Sequence, residues 1–311
     1  MRKKHLFGGP EVKETIVPSM PYMGTKRKLV NKILNAIYRK IGDFNTMYDL
    51  FGGGAAMSVA ALNAGHKVHY NEKNPAIAEL FNYIKMGGEL PNHWVPREEF
   101  HQKKGDSTWF AGILQTCWSF CNNQKDYMYG SQLEPIKKLI HLIIINKDES
   151  ALEELSNILG VQLSMPVDRL DFKPQLRKLP PHIPYKNLAH IQHLERMDSL
   201  MRLQKVENIQ TITVSNLDYR EVEIDADDSI IYCDPPYINT EKYHLSEFNH
   251  VAFWDWCRSV KRPLFFSEYT APDDFEIVAT FNHESPVGSA SEHIRKHKQT
   301  IENVYWNGKC M

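Results

Sequence analysis

Long apolar runs, paired cysteines, net charge and repeats are all missing from this sequence, and each absence removes a class of protein. No apolar stretch approaches the roughly 18–20 residues that a helix needs to cross a bilayer. The five cysteines (Cys117, Cys121, Cys233, Cys257 and Cys310) are scattered, odd in number and without a C-x-x-C pair. That pattern excludes a disulfide framework and points to reduced thiols in a cytoplasmic protein. The start, Met1-Arg2-Lys3-Lys4-His5-Leu6-Phe7-Gly8, is basic but lacks the apolar core of a secretion signal. A net charge of −1 argues against a purely electrostatic binder of nucleic acid. There is no internal repeat and no low-complexity tract. What remains is a chain of 311 residues, 42% hydrophobic and 24% charged. This is the composition of a soluble globular protein, with room for one large domain or two ordinary ones.

Charge is uneven locally. Thr25 to Lys40 holds six basic residues (Lys26, Arg27, Lys28, Lys32, Arg39, Lys40) and no acid. Arg169 to Lys186 holds five (Arg169, Lys173, Arg177, Lys178, Lys186) against Asp171 alone. Such clusters meet phosphates or form a solvated helix face and a solvated loop, and composition leaves both readings open.

Early periodicity is that of an α/β chain. Leu29, Val30, Ile33, Leu34, Ile37 and Ile41 predict one face of a helix over about 26–41. Thr46 to Phe51 predicts a strand, followed by Gly52-Gly53-Gly54 and a helix over Ala55 to Ala64 that Gly65 closes. Lys67 to Asn71 predicts the next strand, ending at Glu72. Asn74-Pro75 is a helix cap followed by a first-turn proline, and that helix runs to about Lys85. Strand, glycine turn, helix, strand and acid suit a nucleotide-like ligand. The glycines let the backbone approach, the helix start offers N–H groups, and the acid accepts from ribose hydroxyls. The turn is not G-x-G-x-x-G, because Ala55 and Met57 stand where its last glycine belongs. That weakens a phosphate-binding reading and leaves an adenosine-binding one.

From about 90 to 200 the alternation stops. Gln115 to Tyr129 is crowded with aromatics and amides, Pro135 to Ile145 is apolar, and Glu149–Leu159 and Leu188–Leu203 read as helices. The segment 166–186 between them is proline-rich and basic. Cys117 and Cys121 read as buried thiols on an apolar helix face. Strand patterns resume at Thr211–Ser215, Ser229–Cys233, Pro263–Ser267, Glu276–Phe281 and Thr300–Trp306. With the two early strands they predict a doubly wound, mostly parallel seven-stranded α/β sheet. The Ser229–Cys233 strand stops at Asp234-Pro235-Pro236-Tyr237. Two prolines cannot continue a ladder, so an acid and an aromatic are held rigidly at the carboxyl end of a buried strand.

Four motifs now stand in order: Tyr22-Met23-Gly24-Thr25-Lys26, Asp49-Leu50-Phe51-Gly52-Gly53-Gly54, Glu72, and Asp234-Pro235-Pro236-Tyr237. In that order the sequence closely resembles the Dam-like (DPPY) DNA adenine-N6 methyltransferases, over nearly its whole length. The resemblance implies a methyltransferase fold built from 1–90 and 205–311, with 91–204 a mainly helical target-recognition insertion. It implies S-adenosylmethionine across Phe51, Gly52, Gly54 and Ala55, with Glu72 on the ribose and Asp218 near the adenine. Tyr22 and Lys26 would take its amino-acid end, while Asp49 would hold the ammonium or order the turn. By the same resemblance Asp234 would contact this cofactor as well.

The implied partner is double-stranded DNA, read with a restriction endonuclease partner or without one. Asp234 and the Pro235 carbonyl would accept the two N6 hydrogens of a flipped-out adenine, held rigid by Pro236 and stacked on Tyr237. Arg169, Lys173, Arg177 and Lys178, with Asn122 and Asn123, would contact DNA from roughly 115–190. Gly24-Thr25 stands where the family often has two glycines, and Tyr127-Met128-Tyr129-Gly130 matches its segment before the recognition hairpin only loosely. The acid at 234 favours adenine over cytosine-N4 (S-P-P-Y) or protein glutamine (N-P-P-Y). An RNA methyltransferase, a DNA-binding module without transfer and a nicotinamide oxidoreductase are the rival readings. His293 and His297 have a metal-pair spacing, but no nearby acid or cysteine completes a site, so no metal is expected.

Overall fold

The computed structural model describes residues 11–179, 188, 190–238, 248–285 and 298–310. His293, His297 and Lys186 lie outside them. The first helix, α1 (Val30–Ile41), leads to β1 (Thr46–Asp49), α2 (Ala56–Asn63), β2 (Lys67–Asn71) and α3 (Pro75–Lys85). The excursion that follows carries α4 (Arg97–Lys103), α5 (Trp109–Ile113), α6 (Glu134–His141), α7 (Glu149–Leu159), α8 (Arg169–Arg177) and α9 (Gln192–Gln204). The chain then returns through β3 (Thr213–Ser215), β4 (Ser229–Cys233), α10 (His250–Ser259), β5 (Leu264–Glu268), β6 (Glu276–Ser285) and β7 (Lys298–Trp306).

These strands form one seven-stranded sheet in the order β3-β2-β1-β4-β5-β7-β6. The first five are parallel, while β7 runs antiparallel between β5 and β6. The sheet is the doubly wound, mostly parallel one expected. Its central strands β4 and β5 are buried throughout because both faces of the sheet are covered there. Met47, Ile230, Tyr232 and Phe265 face a cluster with α1, α2 and α3, whereas Tyr48, Ile231, Cys233, Leu264 and Phe266 face α10. The direction of winding reverses between β1 and β4, whose ends are in register at Asp49 and Tyr232. The crevice at such a reversal is where open α/β sheets bind ligands.

The excursion divides between two cores. Trp94, Phe100, Leu114, Trp118, Tyr127 and Tyr129, with Met197, Leu200 and Leu203 of α9, join the cluster on the sheet. Residues from Leu139 to Leu194 on α6, α7, α8 and the start of α9 form a separate cluster.

The fold decides three local points that the sequence left open or misplaced. The solvated loop that is one reading of the basic cluster from Arg169 onward does not hold throughout, because Arg169–Arg177 is helical. Asp168 caps that helix by accepting from Asp171 N, and Phe172 and Leu176 are buried. Pro174 stands at the sixth position of this nine-residue helix, where its missing N–H costs a single bond. Cys121 is exposed, unlike buried Cys117, because the helix ends at Trp118 and Cys121 turns back with φ 50°. The aromatics of 115–129 are mostly interior: Trp118, Tyr127 and Tyr129 are buried, and only Phe120 stands out from the surface.

Candidate active site

Four strand ends and one loop converge above the crevice. Beyond β1 the chain passes through Gly52-Gly53-Gly54, a turn clamped between two tyrosines. A Cβ on Gly52 would fall 2.1 Å from the Tyr70 ring, and one on Gly54 would fall 2.8 Å from the Met20 carbonyl. The Tyr70 hydroxyl donates to the Gly53 carbonyl at 2.9 Å. The left-handed backbone that launches α2 belongs to Ala55 (φ 64°), which is fully buried behind the turn.

Beyond β2, Glu72 reaches back to the turn. Its carboxylate accepts from Gly53 N at 2.9 Å and from Asn74 N at 2.8 Å. Asn71, just before it, donates to the Leu50 and Leu217 carbonyls and accepts from Leu217 N and Ser215 Oγ. One buried amide thus ties the loops after β1, β2 and β3 together, a residue that sequence reasoning passed over.

Beyond β4, the Asp234-Pro235-Pro236-Tyr237 turn is held from behind by β5 and α10. Glu268 accepts from Ile238 N at 2.8 Å and from Tyr269 N at 2.6 Å. His250 Nε2 lies 2.9 Å from the Pro236 carbonyl and 3.4 Å from Glu268. Tyr237 packs edge-on against Tyr269 at 4.7 Å between ring centres. Lys26, entering α1, lies 2.8 Å from Asp234 Oδ1 and 3.5 Å from Glu302 Oε1.

Together these groups line a cavity of about 950 Å³. Of the candidates from sequence, Tyr22, Lys26, Asp49, Phe51, Gly52, Gly54, Glu72, Asp218, Asp234, Pro235, Pro236 and Tyr237 all line it, and Ala55 does not. Leu217, Tyr219 and Phe248 add apolar wall, and Glu302 adds an acid that sequence reasoning missed. An acid closing an apolar strand was the signal that drew attention to Glu72. It applies equally to Glu268, whereas Glu302 stands mid-strand among polar residues and carried no such signal.

Burial sets the charge states. It pushes the Asp49 carboxyl up to about 7, against the pull of hydrogen bonds from Ser58 and with help from the charge on Asp234. Burial also raises Glu72, and it lifts Glu268 to about 7 despite two backbone N–H bonds. For Lys26 burial works downward, but Asp234 and Glu302 outweigh it and hold the ammonium above its ordinary value. Asp218 is held well below the usual carboxylate range by its bond to Arg220, with Lys73 on its other side. The cavity floor therefore sets buried Asp49, Glu72 and Glu302 and half-buried Asp234 against the Lys26 ammonium. Such a floor suits a positively charged ligand.

The DNA-contact candidates lie apart from this cavity. Arg169 bridges Glu195 at 2.7 Å and Asp198 at 2.6 Å, and Lys173 lies 3.4 Å from Glu195. Arg177 and Lys178 are exposed at the end of α8. Asn123 caps its own turn, accepting from Lys125 N and Asp126 N, and Asn122 has a left-handed backbone beside it.

The sequence matches the family model of the D12 class N6 adenine-specific DNA methyltransferases over residues 22–111 and 184–258. The chain belongs to that family. Both matched segments carry the cavity: the first includes the glycine turn and Glu72, the second Asp218 and the Asp-Pro-Pro-Tyr turn. The unmatched stretch between them contains most of the separate cluster around α6, α7 and α8. No curated protein matches the sequence. Among solved structures it is similar to a Pyrococcus horikoshii protein named for a proposed RNA methyltransferase activity. That similarity is 12% identity over 99% of this chain and 94% of the other, with a TM-score of 0.36. No helix among the described residues is long and apolar enough to cross a membrane.

Proposed function

We propose that this D12 class methyltransferase takes its methyl group from S-adenosylmethionine and delivers it to the N6 amine of an adenine flipped out of duplex DNA. The observation that carries the reading is that the glycine turn and the Asp-Pro-Pro-Tyr turn open into one cavity at the sheet's reversal point. The residues present fit the cofactor. Apolar groups at Phe51, Leu217, Tyr219 and Phe248 suit a purine, fixed Glu72 suits ribose hydroxyls, and the acidic floor suits two positive charges. When bound, the cofactor supplies an electrophilic methyl on a sulfonium.

In this reading Glu72 accepts from the ribose and Asp218 lies toward the cofactor's adenine. Tyr22 and Lys26 hold the amino-acid end, and Asp49, already bonded to Ser58 N and Oγ, orders the turn and faces the ammonium. The target amine is a weak nucleophile because its lone pair is delocalised into the ring. Asp234 and the Pro235 carbonyl accept its two hydrogens and turn the lone pair toward the methyl, while Tyr237 supports the ring. Preorganisation does this work, because Glu268 and His250 fix the turn before the base arrives. Residues 91–204 act as the target-recognition insertion, with Arg177 and Lys178 the basic groups best exposed to phosphates.

The decisive experiment maps N6-methyladenine in DNA from cells expressing the protein, with labelled-cofactor transfer to duplex DNA and to RNA measured on purified protein. Methyl groups on adenine at a defined duplex sequence are the expected result. Transfer to RNA alone, or to cytosine, would overturn the reading.

A further inference from the structure

Glu302 lies outside the residues that the family model matches. It comes from β7, the strand that runs against the others, and the pairing of Asn303 with Glu268 brings it to the same edge as the ends of β4 and β5. Its side chain is almost wholly buried yet lines the cavity. Between it and Asp234 sits the Lys26 ammonium, 2.8 Å from Asp234 Oδ1 and 3.5 Å from Glu302 Oε1. The same ammonium stands over the Tyr237 ring, 4.5 Å from its centre.

Lys26 therefore covers both things a target adenine needs, an acceptor oxygen of Asp234 and the face of Tyr237. A charge-assisted bond is roughly twice as strong as a neutral one, so a neutral amine cannot displace the ammonium by competition alone. Nor can a buried ammonium retreat without an anion to receive it, because an unpaired buried charge is strongly unfavourable. Glu302 is already the lysine's second partner and is placed to receive it.

We propose that Glu302 is a positioning residue that takes Lys26 from Asp234 as the target adenine enters, freeing Asp234 Oδ1 and the Tyr237 ring for the base. This rests on the function proposed above. No covalent step is involved; one ion pair shortens while another opens.

The test uses a duplex carrying one mapped site, with either adenine or purine (the same ring without its amine) at the target. Affinity for both duplexes is measured for the wild type, Glu302→Gln, and Glu302→Gln combined with Lys26→Met, each at a concentration of S-adenosylhomocysteine that saturates that protein, because Lys26 also holds the cofactor's amino-acid end. The cost of flipping belongs to the duplex and cancels between proteins. Glu302→Gln should lower the adenine-to-purine affinity ratio about tenfold, as expected for loss of one good hydrogen bond. It should lower kcat, and leave S-adenosylhomocysteine affinity within about twofold, on the same scale. Adding Lys26→Met removes the competitor and should restore the ratio. An unchanged ratio with weakened S-adenosylhomocysteine binding would put Glu302 on the cofactor instead and overturn the proposal. A parallel loss of both affinities with a lower Tm would reduce Glu302 to a packing role. Wild-type methylation of the adenine duplex, run alongside, reports on the functional reading by itself.

Discussion

Asp234 and Glu72 are both acids that follow a buried strand, yet their surroundings give their removal different consequences. Asp234 stands on a turn braced by Glu268, His250 and two prolines, so truncating it leaves the turn in place. Asp234→Ala should fold normally and lose at least ~2 kcal/mol of barrier lowering, about thirtyfold in rate, as for loss of an electrostatic stabiliser. Near-normal turnover by the folded variant would rule out its role as N6 acceptor. Glu72 is itself a brace, taking N–H bonds from Gly53 and Asn74. Glu72→Ala should weaken S-adenosylmethionine binding by roughly 1.5–3 kcal/mol, and should also lower Tm because two buried N–H groups lose their acceptor. Calorimetry showing unchanged affinity would remove Glu72 from the ribose.

Among the elements, α8 separates two kinds of basic residue that composition could not. Arg169 and Lys173 face Glu195 and Asp198 of α9 and tie the two helices together, whereas Arg177 and Lys178 are exposed. Arg169→Ala should therefore lower stability, because Glu195 and Asp198 each lose a partner. Arg177→Ala and Lys178→Ala should leave Tm unchanged and each flatten the salt dependence of DNA affinity by about one unit of slope. If neither changes the slope, α8 does not touch phosphate. A contact to a base would appear instead as a relaxed preference at one position, worth ~1–3 kcal/mol.

Over the whole molecule, two raised carboxyls make stability depend on pH in an unusual direction. Asp49 and Glu268 titrate near about 7 in the folded protein, against about 3.9 and 4.3 for unperturbed Asp and Glu. Between those limits the folded state binds more protons than the unfolded state. These two groups therefore contribute stability that is complete below about pH 4 and is lost as pH rises through about 7. The Tm of the ligand-free protein should fall across that window by more in the wild type than in Asp49→Asn or Glu268→Gln, and equal slopes would mean neither carboxyl is raised. A cationic cofactor reverses the preference by favouring ionised Asp49. S-adenosylmethionine affinity should rise from pH 6 to pH 8, with proton release detected calorimetrically as a buffer-dependent enthalpy.

Much of this protein was settled by the order of its residues alone. The β2 and β4 boundaries, the cap at Asn74 and the start of α3 follow from apolar runs, proline and a capping amide, all of which act over a few residues. The two cofactor-side motifs and the Asp-Pro-Pro-Tyr turn were legible for the same reason, since each is a rigid local device at a strand end. The tertiary structure decided what depends on partners distant in sequence. Lys26 meets an acid more than two hundred residues away, and Glu302 reaches the site only because β7 inserts backwards between β5 and β6. Arg169 and Lys173 are committed to α9, and the aromatics of 115–129 are drawn into the core. A charge or an aromatic ring carries no local mark of whether it will be paired, buried or left facing solvent. That depends on which surfaces the folded chain brings together.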